Sequence, residues 1–283
     1  MKPGNFSGVV RSIDPTNPQN FAILILVIAA IITGVAVYTL NNYSLYDSFL
    51  QATKSGISVF LSWALARELD PDNELSALFS AGTIFIFISS LITHSPDIIV
   101  LVWILLIMRV INRTSGRYAG VLDLLVVMGL GIWLTYHGGL VFILITSLVF
   151  FLDGSMDSPN KNNRYFTIIS LIISAVIIIF NGNVVLKTPA TLNILVILIV
   201  SLLFLLHIFT ISGICSFDDL NIKRLDFKRI RISQLVVLFT GVSVLIFGDD
   251  YSINSILPLW TAISGILIYR LIFAMGKCFS SCR

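Results

Sequence analysis

Six polar residues recur along one apolar stretch of the chain, where each could contact a substrate or an ion. They follow one another at steps of four, three, one, three and four residues: Asp47, Gln51, Lys54, Ser55, Ser58 and Ser62. At about 3.6 residues per turn, these steps place all six on one face of a helix. Lys54 lies about 13 Å along a helix that starts at residue 45. An ammonium group at that depth can select an anionic group.

Three interpretations of this polar stripe are open. In the first, the stripe lines a water-accessible cavity, and Lys54 contacts an anionic group or a proton. In the second, the serines allow helices to approach closely, and Lys54 is neutralised by a structural partner. On its own helix face Lys54 could pair with Asp47 or hydrogen-bond Gln51. In the third, residues 45–66 form an amphipathic helix that lies on the membrane surface.

Asp123 is a second charge within a predicted apolar helix, roughly 6–9 Å from the inner end of that helix. The side chain of Arg113 or Arg117 can reach back toward the carboxylate, which would make Asp123 structural. With Asp47, Asp123 is also a candidate counter-ion for Lys54 or a candidate proton site.

Two acidic turns follow predicted helices, and both turns lie on the predicted inner face of the membrane. The first contains Asp70, Asp72 and Glu74 after Arg67, and the second contains Asp153 and Asp157. Carboxylates placed in this way could hold Mg²⁺ and a lipid diphosphate. The placement resembles the membrane prenyltransferases of the UbiA type, although their fuller Asn-Asp-x-x-Asp-x-x-x-Asp motif is absent. The resemblance implies a magnesium-dependent transferase that acts on a prenyl or lipid phosphate.

Helix capping is the other interpretation of the first acidic turn. Asp70 is a good N-cap for the next helix, with Pro71 at its first position. Arg67 and Glu74 then lie at the helix ends whose dipole each complements. Capping therefore accounts for this charge without any ligand.

The composition places these residues in a membrane protein. Of 283 residues, 57% are hydrophobic and 12% charged, and the mean hydropathy is +0.96. A soluble domain carries about 25% charged residues, so this chain lacks a water-compatible surface. The basic residues lie in short loops, so the net charge of +3 does not indicate nucleic-acid binding. The three cysteines do not form a disulfide framework, and we expect free thiols.

Apolar runs recur along the whole chain and predict ten membrane-spanning helices in an all-α bundle. The predicted spans are 21–40, 45–66, 76–93, 97–110, 119–136, 139–152, 165–181, 192–211, 232–248 and 252–274. We expect one integral membrane domain over 1–283, with a cytoplasmic segment 1–20 and a cytoplasmic tail 275–283. No connection is long enough for a separate soluble domain.

The basic residues predict the orientation. If both termini are cytoplasmic, the outer connections contain a single basic residue, Lys187, and the others collect in inner segments. If 45–66 lies on the surface instead, nine spans remain and the N-terminus is outside.

The expected function is that of a permease-like or flippase-like carrier, with the stripe lining part of the route. The size and span count also suit small drug/metabolite carriers built from five plus five helices, though no motif is diagnostic of them. The alternatives are the membrane enzyme described above and a non-catalytic assembly subunit.

The expected location is the cell membrane, or the cytoplasmic membrane if the source is prokaryotic. The expected partners are the bilayer, anionic lipid headgroups near the basic connector 223–231, and a small-molecule or lipid substrate. We expect no cofactor, except Mg²⁺ if the chain is the enzyme.

Overall fold

The computed structural model describes residues 7–10, 17–90, 96–181, 191–220, 222–248 and 251–274. These residues form ten α-helices and a short 3-10 helix at Asn254–Ile256, with no β-strand among them. The helices are α1 Pro18–Leu40, α2 Leu45–Leu69, α3 Glu74–Ser90, α4 Ile98–Asn112, α5 Val121–Gly138, α6 Val141–Ser155, α7 Lys161–Asn181, α8 Thr191–Thr210, α9 Phe227–Phe247 and α10 Leu257–Ala274.

Each predicted span overlaps one of these helices, so the all-helical prediction is confirmed, whereas the count of ten membrane spans stays a prediction. Five helices are long and apolar enough to cross a membrane: α1, α5, α7, α9 and α10. Four shorter apolar helices are α3, α4, α6 and α8. The polar helix α2 belongs to neither group, although its 25 residues make it the longest of the helices described. The predicted tail 275–283 and the basic residues Lys2, Arg11, Lys187 and Lys277 lie outside the described residues.

The chain divides into two compact units. The unit that we call terminal comprises Ser12–Leu101, Ile199–Thr210 and Ile253–Arg283, and contains α1, α2, α3 and α10. The unit that we call central comprises Met1–Arg11, Val102–Leu198 and Ile211–Ser252, and contains α5, α6, α7 and α9. That both belong to one integral membrane domain stays a prediction.

Small residues bring the helices of the terminal unit close together. Gly34 of α1 lies against Ala52 of α2, where an added Cβ would come within 3.0 Å of the alanine methyl. Gly265 of α10 lies against the backbone of Ser80 in α3, which leaves no room for a side chain. Close approach at glycine, alanine and serine is how helices associate in a membrane, where no hydrophobic effect drives them together.

Buried hydroxyl groups hold the central unit together. The Trp103 indole N–H donates to Thr146 Oγ1 at 3.2 Å, and Ser147 of α6 donates to Ser170 of α7 at 2.8 Å. Thr146 also packs against Gly131 of α5. These contacts place the carboxyl end of α6, with Asp153, beside the start of α7.

Candidate functional site

Asp47, the first residue of the polar stripe, takes part in capping the start of helix α2. The Ser44 hydroxyl donates to Asp47 Oδ2 at 2.6 Å and accepts from the Asp47 backbone N–H at 3.1 Å. Ser44 is therefore the N-cap of α2, and the Asp47 carboxylate holds its hydroxyl group in place. Asp47 is exposed, and no ion pair joins it to Lys54 among the described residues. Its expected role as a counter-ion has no contact to support it.

Lys54 is half-buried near the middle of α2, next to the half-buried Gln51. The Lys54 ammonium makes no hydrogen bond or ion pair with any residue that the structure describes. Its backbone carbonyl accepts from the Ser58 hydroxyl at 2.8 Å. Lys54 and Gln51 are therefore the partly open portion of the polar stripe.

The three serines of the stripe are buried within helix contacts. Ser55 donates to the Gln51 carbonyl at 3.0 Å, along the helix itself. Ser62 and Thr261 of α10 share a hydrogen bond of 3.0 Å. Ser58 and Ser62 are fully buried. These contacts favour the packing interpretation for the serine half of the stripe.

The turn between α2 and α3 has the charges predicted at its helix ends. Arg67 lies in the last turn of α2, over the Trp63 ring at 5.2 Å, and donates to Asn20 Oδ1 at 3.0 Å. Glu74 opens α3 and lies 3.9 Å from Arg67. Asp72 is exposed in the turn.

Asp70 does not have its expected role, because α3 begins at Glu74 and Asp70 is the C-cap of α2. Asp70 is 3% exposed, and its Oδ1 accepts from Asn73 at 2.8 Å and from Arg270 of α10 at 3.3 Å. Burial raises the pKa of the Asp70 carboxyl above its ordinary value, and Arg270 opposes this rise.

Asp123 also differs from expectation, because neither Arg113 nor Arg117 pairs with it among the described contacts. Helix α5 begins at Val121, which places Asp123 in the first turn rather than deep in the helix. The carboxylate accepts from the Gly120 and Gly8 backbone N–H groups at 2.9 and 2.7 Å. It is a structural acceptor at a helix N-terminus, where the dipole favours negative charge.

Asp123 and its neighbours fix the segment Ser7–Val10. The Ser7 hydroxyl donates to Asp123 Oδ1 at 2.5 Å, and Arg109 donates to the Val9 carbonyl at 3.0 Å. The Ser115 hydroxyl donates to the Gly8 carbonyl. Gly8 leaves no room for a Cβ against the Tyr118 carbonyl.

Asp153 is the centre of a buried ion cluster in the central unit. Its Oδ1 accepts from Arg113 Nη2 at 2.7 Å, from Arg113 Nε at 3.1 Å and from Arg229 Nη1 at 2.6 Å. Its Oδ2 accepts from Asn163 at 2.6 Å. We call Asp153, Arg113, Arg229 and Asn163 the Asp153 cluster. It joins the turn after α4 and the last turn of α6 to the starts of α7 and α9.

The two arginines are bonded beyond the carboxylate. Arg113 donates to the Ser158 carbonyl at 2.7 Å, and Arg229 donates to the Ile111 and Asp157 carbonyls at 3.1 and 2.8 Å. Arg113 has a φ of 54°, a left-handed conformation that glycine usually fills at a helix end. Burial lowers the pKa of Arg113, and the adjacent Asp153 carboxylate opposes this effect. The guanidinium remains charged at neutral pH.

Two further predicted residues lie apart from this cluster. The Asp157 carboxylate is exposed and lies 3.5 Å from Lys228 Nζ. Arg117 is half-buried in the turn before α5 and makes no hydrogen bond or ion pair with the described residues. Neither Asp157 nor Arg117 touches Asp153 through its side chain.

Sequence reasoning missed Arg229 and Asn163. Arg229 was assigned with its basic neighbours to a headgroup-binding connector, but its side chain is only 5% exposed. Its position at the start of an apolar helix, with Asp153 at the end of another, was the available signal. The distance of 76 residues between them gave no local cue.

The two buried carboxylates of the acidic turns, Asp70 and Asp153, are paired with arginine. Asp70 and Asp153 each accept from arginine, and no group of three His, Cys, Asp or Glu side chains is placed to hold a metal within the described parts of the chain. Cys215 is disulfide-bonded, so the expectation of free thiols is wrong at this residue.

The comparisons with known proteins found no relative of this chain. No protein family model, curated protein or solved structure matches this chain. The interpretation of the site therefore depends on its geometry.

Proposed function

We propose that this chain is a multi-pass carrier in the cell membrane, with Lys54 as the residue that selects an anionic group on the substrate. Ten spans with both termini cytoplasmic give the basic residues their inner placement. In this arrangement α2 crosses the membrane between α1 and α3, and Lys54 lies close to mid-depth.

One observation supports the proposal more than any other: the Lys54 ammonium has no partner among the described residues. A charged side chain within a membrane is costly, and charges of this kind usually pair with one another or face water. Lys54 remains half-buried without a described counter-ion, beside Gln51. A charged group in this state is suited to bind an anion that arrives and leaves.

The packed serines support this assignment by fixing the helix. Ser58 and Ser62 are fully buried, and Gly56 fits closely against Ile31 of α1. The carboxyl half of α2 is therefore a rigid element, since its small residues are in direct contact with other helices. A site on a rigid helix keeps its charge in a defined position.

The enzyme alternative has less support from the contacts. Its principal carboxylates, Asp70 and Asp153, accept hydrogen bonds from guanidinium groups, whose positive charge disfavours a metal ion beside them. The enzyme and the non-catalytic subunit stay as alternative hypotheses, and no contact among the described residues favours either.

Cysteine substitution along α2 tests the carrier proposal. Single cysteines at Gln51, Lys54, Phe49 and Ile57 are treated with a membrane-impermeant thiol reagent from each side of sealed vesicles. Peptide mass spectrometry separates them from the native cysteines. We expect labelling at 51 and 54, because thiolates form only where water reaches.

Phe49 and Ile57 are matched controls. They are 62% and 37% exposed in the structure, and in the carrier they face lipid and stay unlabelled. Protection at 51 and 54 would contradict the proposal. Labelling of all four positions from the inner side alone would place α2 on the inner membrane surface, as in the nine-span alternative.

A further inference from the structure

Two buried carboxylates stand at equivalent places in the two units. Asp70 follows α2 directly, and Asp153 lies in the last turn of α6, each where a connection to the next helix begins. Asp70 is 3% exposed and Asp153 is 1% exposed. Each accepts from at least one arginine on a distant helix or turn. They differ in how completely their oxygens are bonded.

Asp153 is fully bonded as an anion. Arg113 and Arg229 donate to Oδ1, and Asn163 donates to Oδ2, at distances of 2.6 to 3.1 Å. Both carboxylate oxygens therefore accept at least one short hydrogen bond, and two of the donor groups are charged.

Asp70 is incompletely bonded as an anion. Its Oδ1 accepts a bond of 2.8 Å from Asn73 and a longer one of 3.3 Å from Arg270, while its buried Oδ2 has no hydrogen-bond partner among the described residues. The buried Arg270 Nε also has none. Burying an ionised carboxylate without donors is costly, and protonation removes that cost.

The groups that face Asp70 come from several elements. Helix α10 contributes Arg270, which favours the anion, and the turn contributes Asp72, whose charge favours protonation. Asn73 and Ser76 are neutral polar neighbours that favour the anion, and the Ser76 hydroxyl also donates to the Asn73 carbonyl at 2.7 Å. His207 of α8 interacts electrostatically with Arg270, and its buried Nε2 has no described partner.

We propose that Asp70 is a proton-binding site, and that proton binding there separates Asp70 from Arg270. One proton adds to Oδ2, the carboxylate becomes a neutral acid, and no other bond forms or breaks. Arg270 then loses its counter-ion, and its side chain, which is 39% exposed, is free to move toward water.

In the proposed carrier, this proton is the coupling ion. That assignment depends on the proposed function. The existence of the proton site at Asp70 does not depend on it. A carrier driven by protons needs a carboxyl group that exchanges its proton while two conformations interconvert. Asp70 lies at the end of α2, the helix that carries Lys54, so both charges belong to one rigid element.

The test measures thermal stability against pH for the purified full-length chain, without any substrate. The raised folded-state pKa means that the folded protein binds the proton more tightly than the unfolded chain. The resulting stability is therefore fully present below the unfolded pKa and is lost as pH rises through the folded pKa. We expect the wild-type Tm, relative to that of Asp70→Asn, to fall as the pH rises above about 4, the ordinary pKa of an aspartyl carboxyl group.

Asp153→Asn is the matched control, since it removes the same charge from a fully bonded site. At neutral pH we expect Asp70→Asn to match or exceed the wild-type Tm, because asparagine mimics the protonated acid, and we expect Asp153→Asn to fall well below it. If the wild type and Asp70→Asn have parallel pH profiles, the proposal is overturned. If Asp70→Asn is as unstable as Asp153→Asn or fails to fold, Asp70 is a structural anion and the proposal is again overturned.

A second variant tests the same site with the carboxyl group intact. In Arg270→Gln the opposing cation is absent, so the midpoint of the pH-dependent change in Tm should move up by about 1 unit or more. An unchanged midpoint would contradict the proposal. Because no substrate is used, a failure here would remove the proton site and leave the cysteine test of the carrier unaffected.

Discussion

The Asp153 cluster gives a quantitative prediction for Asp153→Asn. Asparagine keeps the size and shape of the side chain, so the substitution removes charge without opening a cavity. Arg113 and Arg229 are then left without a carboxylate, while they remain 12% and 5% exposed. Their guanidinium groups also repel each other, an effect that Asp153 balances in the native protein.

The magnitude follows from how deeply the cluster is buried. Removing one partner from a buried ion pair costs about 3–5 kcal/mol, because the remaining charge is desolvated and uncompensated. In a protein of this size, a loss of 1 kcal/mol in the free energy of unfolding lowers Tm by about 2–4 °C. We therefore expect Asp153→Asn to lower Tm by roughly 6–20 °C. The assay is thermal unfolding of the purified protein in detergent, followed by tryptophan fluorescence at one scan rate, since unfolding of membrane proteins is often irreversible.

Asp157→Asn is the control for this prediction. Asp157 and its partner Lys228 are 82% and 77% exposed and 3.5 Å apart, so solvent screens their interaction. We expect a change in Tm of less than about 2 °C. An Asp153→Asn variant that melts within that range of the wild type, or an Asp157→Asn variant that loses as much, would refute the reasoning.

Two further predictions concern glycines at close contacts. Gly265→Ala should destabilise the protein by about 1–3 kcal/mol, because the added methyl group meets the Ser80 backbone, whereas Gly82→Ala has open space and should gain up to about 1 kcal/mol of helix propensity. Thermal unfolding of both variants checks this, and a loss at Gly82 equal to that at Gly265 would contradict it. Gly8→Ala should release Ser7–Val10 from Asp123, since its Cβ would clash with the Tyr118 carbonyl. Limited trypsin digestion should then cut faster near Arg11, and an unchanged rate would show that the segment tolerates the methyl group.

Long apolar runs were sufficient to predict the helices. Runs such as 21–40 and 165–181 coincide with Pro18–Leu40 and Lys161–Asn181, because long apolar segments can satisfy their backbone groups in a membrane only as helices. Arg67 and Glu74 were placed correctly for a similar reason, since helix dipoles act within one turn.

The pairing of the buried charges could not be predicted in the same way. Arg113 was expected at Asp123, but the Gly8 and Gly120 N–H groups occupy that carboxylate and Arg113 reaches Asp153 instead. The choice depends on which turns meet in three dimensions, and the sequence contains no local signal for it. Asp70 was misassigned because Pro71 suggested a helix start three residues before α3 begins.

The most direct test of the central claim uses the native Lys54. The wild-type protein in lipid nanodiscs, which expose both membrane faces, is treated with a membrane-impermeant amine-acylating reagent, and each lysine is quantified by peptide mass spectrometry. Lys228, which is 77% exposed, is the reference for full access. We expect Lys54 to be acylated on the same timescale as Lys228, because water and anions reach an ammonium group that has no structural partner. Complete acylation of Lys228 with none at Lys54 would contradict the account.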